Sequence, residues 1–217
     1  MELTAIPLKE ALRYLGVRGE APPELVQQVQ AAAQRLLPQC TPRSVWRVLP
    51  KAELEARGLP LPGQDIHTLL RDCDRCVLFA LTLGDGPEAL IRRAGLRSPT
   101  EALLLDACAS AACEAACDRL QRLLEGQLCS DTVFPTDRFS PGYGDLPLTV
   151  QAPLLELLNA QRLCGITLSP THIMSPRKSV TALFGLADQP QGKRARGCGV
   201  CSMKHNCSFR KAGITCA

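Results

Sequence analysis

The chain has 217 residues, of which 46% are hydrophobic and 21% charged, a balance that excludes a disordered, fibrous or peptide-sized molecule and allows one domain or two small ones. Of the net charge of +4, residues 189–217 hold +6 and no acid, which leaves −2 for residues 1–188. A near-neutral body speaks against a folded basic face for nucleic acid.

Leu8, Leu12 and Leu15 share one helical face and Gly16 follows them, so residues 8–16 are predicted to form a short amphipathic helix with a glycine C-cap. Pro22-Pro23-Glu24 opens a second helix. Its apolar residues run at helical spacing from Leu25 to Leu37, and Pro38 and Pro42 end it. Residues 44–49 read as a strand, Gly58, Pro60, Pro62 and Gly63 as a loop, and residues 66–71 as a helical turn. The continuous apolar run within residues 75–84 suits a strand buried on both faces.

Asp85-Gly-Pro-Glu88 supplies an N-cap, an early proline and a carboxylate for a helix over residues 87–95. Ser98-Pro-Thr-Glu101 is a second capping box, and it opens the longest helix, residues 99–128. Ala107 to Cys117 are nearly all small in that helix, which lets neighbouring backbone approach closely and marks it as central. A loop with Pro135 and Pro141 follows, then a helix over residues 149–159. Two strands, residues 162–168 and 180–186, are separated by turns at Pro170 and Pro176. The expected class is α+β: an antiparallel or mixed sheet covered by helices, a long central small-residue helix, and a short Cys-rich C-terminal tail. Residues 1–188 form the folded domain, and residues 189–217 the basic Cys-rich appendage.

Cysteine is the outlying count, with 12 residues against 1 Trp, 2 Tyr and 5 Phe. Residues 1–7 lack a basic segment followed by an apolar one, so no secretory signal is expected. The longest strongly apolar run, residues 77–83, is far short of the roughly 20 residues of a membrane span. The expected location is the cytoplasm, where thiols stay reduced, so the cysteines read as small core residues plus a metal site rather than as disulfides.

Four groups of residues bear on chemistry. Leu83-Gly-Asp-Gly86, between a strand and a helix, reads either as a capped turn or as a phosphate-binding one; only two glycines and a donor-less Pro87 favour the cap. Arg138-Phe-Ser-Pro-Gly142-Tyr143 reads as an ordinary turn or as a loop for a small zwitterion. In the second case the guanidinium takes a carboxylate, the glycine lets the ligand approach, and the tyrosine offers a face and a hydroxyl. Cys198-x2-Cys201-x5-Cys207-x8-Cys216 has the makings of a four-thiolate site for zinc or an iron–sulfur cluster, the alternative being a basic tail with free thiols. Cys73-x2-Cys76 carries little weight as a redox pair outside a thioredoxin-like context, and Cys108, Cys113 and Cys117 read as core.

Five stretches, in one order and spanning nearly the whole chain to Leu186, resemble the activation domain of cobalamin-dependent methionine synthase, particularly its free-standing form. They are Lys9-Glu-Ala-Leu-Arg-Tyr-Leu-Gly16, Phe79-Ala-Leu-Thr-Leu-Gly84, Leu103-Leu-Leu-Asp-Ala-Cys-Ala-Ser-Ala111 with Glu114-Ala115, Arg138-Phe-Ser-Pro-Gly-Tyr143, and Pro176-Arg-Lys-Ser-Val-Thr-Ala182. The resemblance implies that Arg138, Gly142 and Tyr143 bind S-adenosylmethionine and that Glu114 contacts its cationic end. It implies an accessory protein with no catalytic residue of its own, which supports reductive remethylation of cobalamin carried by a partner. The implied partners are the corrinoid-binding domain of a methionine synthase or related methyltransferase, and flavodoxin or another electron donor; no membrane or nucleic-acid partner is expected. After Tyr143 the fused family continues with a Pro-x-Cys-Pro-x-His type run, whereas here the chain reads Gly144-Asp-Leu-Pro-Leu148. The competing reading is a non-enzymatic interaction module whose metal-stabilised basic tail binds a protein or nucleic acid.

Overall fold

A computed structural model describes residues 3–191. In chain order its elements are α1 (Leu8–Tyr14), α2 (Pro23–Leu36), β1 (Arg43–Pro50), α3 (Gln64–Leu69), β2 (Cys73–Thr82), α4 (Gly86–Gly95), α5 (Pro99–Leu128), β3 (Phe134–Pro135), α6 (Gln151–Leu157), α7 (Ala160–Cys164), β4 (Thr167–Leu168), β5 (Met174–Ser175) and β6 (Ser179–Ala187). The class is α+β, as expected. A four-stranded sheet has the order β1-β2-β6-β3, and β4 and β5 form a separate antiparallel pair. The described residues divide into two compact units: residues 3–45, 79–127 and 158–180, and residues 46–78, 128–157 and 181–191.

The inner positions of β2 and β6 explain their composition. Residues 76–82 of β2 and 181–187 of β6 are buried without interruption, the pattern of strands covered on both faces, whereas the edge strand β1 is mostly exposed or half-buried.

In the first unit, Ala11 of α1, Val29 and Leu36 of α2, Ala94 of α4, and Leu105 and Cys108 of α5 belong to one buried cluster. Fully burying a leucine such as Leu36 or Leu105 contributes roughly 2 kcal/mol. The small residues of α5 let α2 come close enough for the Cys108 thiol to reach the Val29 carbonyl at 3.6 Å. At the start of α5 the Ser98 hydroxyl oxygen accepts the Glu101 main-chain N–H at 3.2 Å, as the capping box predicts. The Glu101 carboxylate is paired with Arg35 of α2, so the box also joins two helices. The end of α1 is closed by the Gly16 N–H on the Arg13 carbonyl and the Val17 N–H on the Leu12 carbonyl, a Schellman arrangement.

In the second unit β3 pairs antiparallel with β6, Phe134 opposite Ala187 and Pro135 opposite Leu186. Pro135 can sit in a strand because β3 is at the sheet edge, where its missing N–H costs no ladder bond. The loop expected between Cys129 and residue 149 on the strength of Pro135 and Pro141 therefore contains a short strand. A second correction concerns residues 162–168. Residues 160–164 are helical, with Asn159 (φ 53°) and Gly165 (φ 73°) both left-handed on either side, and only Thr167–Leu168 is extended. The apolar residues there are periodic over too short a span to separate helix from strand. Asp85 stands at the start of α4 but makes no side-chain cap bond.

Candidate functional site

Arg138, Gly142 and Tyr143 lie together in an irregular stretch of the second unit, residues 138–148. Its first anchor is Phe139, 2% exposed, which exchanges two main-chain hydrogen bonds with Leu183 of β6, both 2.8 Å. The chain then turns back on itself. The Tyr143 N–H donates to the Ser140 carbonyl (3.2 Å), the Leu146 N–H to the Tyr143 carbonyl (3.1 Å) and the Gly142 N–H to the Leu146 carbonyl (2.9 Å). Gly142 has φ +89°, and a Cβ there would lie 3.3 Å from Leu148 Cδ1, so both backbone and space call for glycine. Leu146 is 1% exposed and Tyr143 66%. The turn therefore has buried ends and presents the tyrosine to solvent, while Arg138, next to the buried Phe139, is half-buried.

A second anchor follows Tyr143. The Asp145 carboxylate accepts the main-chain N–H of Gln64 at 2.6 Å and that of Asp65 at 3.1 Å, capping α3 where the local N-cap, Gly63, offers no side chain. Two glycines make the approach possible. A Cβ on Gly63 (φ +127°) would lie 2.6 Å from Asp145 Oδ1, and one on Gly144 (φ +54°) would collide with the Asp65 carboxylate. Motif spacing missed this cap, because the capping residue is some 80 positions from the helix it serves. The helical turn predicted over residues 66–71 begins two residues later than α3 does, with Asp65 just before it, so nothing local pointed to a cap supplied from a distance.

Glu114 is on α5, in the first unit, and half-buried. It continues the row Asp106, Ser110, Glu114, whose four-residue spacing places them on one helix face. Lys178 is tied to that face: its ammonium donates to the Ser110 hydroxyl at 2.9 Å and pairs with the Asp106 carboxylate at 2.8 Å.

The Leu83–Gly86 turn holds no room for a phosphate. A Cβ on Gly84 would strike the Thr41 hydroxyl and one on Gly86 the Gln39 carbonyl, while the Thr41 N–H donates to the Leu83 carbonyl at 2.8 Å. These glycines admit a neighbouring chain segment, and the turn is not capped by Asp85 as expected, since that side chain makes no cap bond.

Cys73, Cys76, Cys108, Cys113 and Cys117 are buried and outside any disulfide. Burial pushes Cys76 up to about 12 and Cys108 up to about 11, and raises Cys73 as well, a direction that disfavours the thiolate at both members of the Cys73-x2-Cys76 pair. Cys40 is also held up at about 11, first by burial and then by neighbouring Cys113. Among the described residues no three His, Cys, Asp or Glu side chains are grouped for a metal ion. Cys198, Cys201, Cys207 and Cys216 lie outside the described residues. An open cleft of about 900 Å³, lined in part by Leu37, Pro38, Cys40 and Arg43, includes none of the predicted site residues. No helix among the described residues is long and apolar enough to cross a membrane.

No family model and no curated protein matches the sequence. Among solved structures, the chain is similar to a crystal structure of the MetH reactivation domain bound to AdoHcy, with 15% identity and a TM-score of 0.63, covering 95% of this chain and 83% of that one. At that identity the likeness establishes the fold.

Proposed function

We propose that the protein binds S-adenosylmethionine through residues 138–143 and supports reductive remethylation of the corrinoid of a B12-dependent methionine synthase or related methyltransferase. The observation that carries this reading is the fold shared with a reactivation domain crystallised with AdoHcy, the demethylated form of that ligand. The Arg138-to-Tyr143 stretch supports it, being a turn held at both ends that leaves its tyrosine exposed.

In this reading the Arg138 guanidinium takes the ligand carboxylate in a bidentate pair. Gly142, without a Cβ, allows the ligand close to main chain, and Tyr143 offers its ring face and hydroxyl. Glu114, assigned from the sequence resemblance, favours the ammonium or sulfonium end. The chain supplies no nucleophile; it binds and positions. Remethylation of an oxidised corrinoid consumes one electron and the methyl group of S-adenosylmethionine and leaves AdoHcy, with the corrinoid carried by the partner's cobalamin-binding domain. The electron comes from flavodoxin or an equivalent donor. A cytoplasmic setting with reduced thiols fits the free cysteines. For the tail, spacing alone supports zinc or an iron–sulfur cluster on Cys198, Cys201, Cys207 and Cys216.

The test is reconstitution. A methionine synthase deprived of its own activation domain is oxidised to the cob(II)alamin form and mixed with this protein, S-adenosylmethionine and reduced flavodoxin. Conversion of the cob(II)alamin spectrum to that of methylcobalamin, dependent on this protein and slowed by Arg138→Ala, supports the proposal. An unchanged spectrum with a donor that does reduce the intact enzyme refutes it.

A further inference from the structure

Tyr143 and Gly142 are exposed and bury little that would fix them. Their shape is set by what holds the chain on either side. Before them, Phe139 is hydrogen-bonded to Leu183. After them, Asp145 carries the two main-chain N–H groups of Gln64 and Asp65, and Gly63 and Gly144 are each packed against the other segment's aspartate. The three turn bonds among Ser140, Gly142, Tyr143 and Leu146 lie between these two anchors.

We infer that Asp145 is a positioning residue for the ligand loop: by capping α3 from the far side of Tyr143, it holds Gly142 and Tyr143 in place before ligand arrives, relative to an Arg138 whose neighbour Phe139 is held by β6. The inference rests on the proposed ligand reading for its functional meaning, and on the hydrogen bonds above for its structural one. A loop that is ordered in advance spends less of its interaction energy on ordering. Losing a carboxylate that accepts two N–H groups leaves both donors and the turn that follows Tyr143 without their anchor.

The experiment compares wild type with Asp145→Ala, Asp145→Asn and Gly63→Ala, using amide hydrogen exchange by NMR and calorimetry with AdoHcy. In Asp145→Ala, exchange at Gly142 and Leu146 is expected to rise about tenfold along with that at Gln64 and Asp65, while Thr136 and Phe139, bonded to β6, keep their protection. The AdoHcy dissociation constant is expected to rise about tenfold. Asp145→Asn, which keeps the shape and one acceptor oxygen, is expected to fall between in both readouts. Gly63→Ala places a methyl against an intact carboxylate, so it reproduces the exchange pattern even if Asp145→Ala fails to fold. Wild-type exchange at Gly142 and Leu146 with the Gln64 and Asp65 protection gone overturns the inference. So does unchanged AdoHcy affinity once those amides are released. Failure of wild type to bind AdoHcy defeats the ligand reading instead, and the exchange pattern then decides the positioning claim by itself.

Discussion

Lys178 and Asp106 are joined twice: the lysine ammonium donates to the Asp106 main-chain carbonyl at 3.2 Å and pairs with its carboxylate at 2.8 Å, while also reaching the Ser110 hydroxyl at 2.9 Å. All three donors of the ammonium are thus spoken for, and the lysine side chain is only 14% exposed. The residue just before β6 is thereby fixed to the α5 face that carries Glu114. Lys178→Ala is expected to cost about 1–2 kcal/mol, discounted because the Asp106 carboxylate is half-exposed. Asp106→Asn should cost less than half of that, since the main-chain carbonyl and Ser110 remain. Urea unfolding midpoints measure both.

The start of α5 offers a separable pair of effects. Ser98→Ala removes the acceptor for the Glu101 N–H and should lower stability by about 1 kcal/mol. Arg35→Ala breaks an exposed ion pair with Glu101 and should change it by less than about 1 kcal/mol, with the difference shrinking in high salt. Thermal unfolding at low and high ionic strength distinguishes the two.

Gly142 is a position where backbone and packing both call for glycine. With φ +89° and Leu148 at 3.3 Å from a would-be Cβ, Gly142→Ala is expected to destabilise by about 1–2 kcal/mol. It should also weaken AdoHcy binding more than Leu148→Ala does, because relieving the contact leaves the backbone strain. Chemical denaturation paired with calorimetry reads the two quantities separately.

The buried thiols predict how stability depends on pH. Cys76 is raised to about 12 and Cys108 to about 11 by burial, above the pKa of an unfolded thiol, near 8.5. Their contribution is fully present below about pH 8.5 and is lost as pH rises towards 11–12, because only the unfolded chain releases those protons first. Each such thiol adds a downward slope of about 1.4 kcal/mol per pH unit in that window. Cys76→Ala should flatten the loss between pH 9 and 11 even though it lowers stability at pH 7. A curve as steep as wild type would contradict the assignment.

Most of the architecture was legible because the signals were local. The 99–128 helix is bounded by its own capping box, the 75–84 strand by a run of apolar residues that no half-buried strand would need, and α2 by prolines at both ends. What escaped was set by distant partners. The strand at Phe134–Pro135 exists because β6 offers it an edge, and residues 160–164 turn helical between two left-handed residues. At the candidate site the Arg138, Gly142, Tyr143 triplet was visible as a motif, and Gly142 and Tyr143 lie in one hydrogen-bonded turn that begins two residues after Arg138. Asp145 was not visible, because a carboxylate capping a helix 80 positions away leaves no mark in the spacing of either segment.

Whether residues 138–143 take S-adenosylmethionine, as proposed, is read by titration calorimetry of the whole protein with S-adenosylmethionine and with AdoHcy, in wild type and Arg138→Ala. Wild type is expected to bind both ligands saturably at one site. For Arg138→Ala the affinity is expected to weaken by about ten- to a hundredfold, the loss of a bidentate guanidinium–carboxylate pair worth about 1.5–3 kcal/mol. No detectable heat from wild type with either ligand, or equal affinity in the folded Arg138→Ala variant, would contradict the proposal.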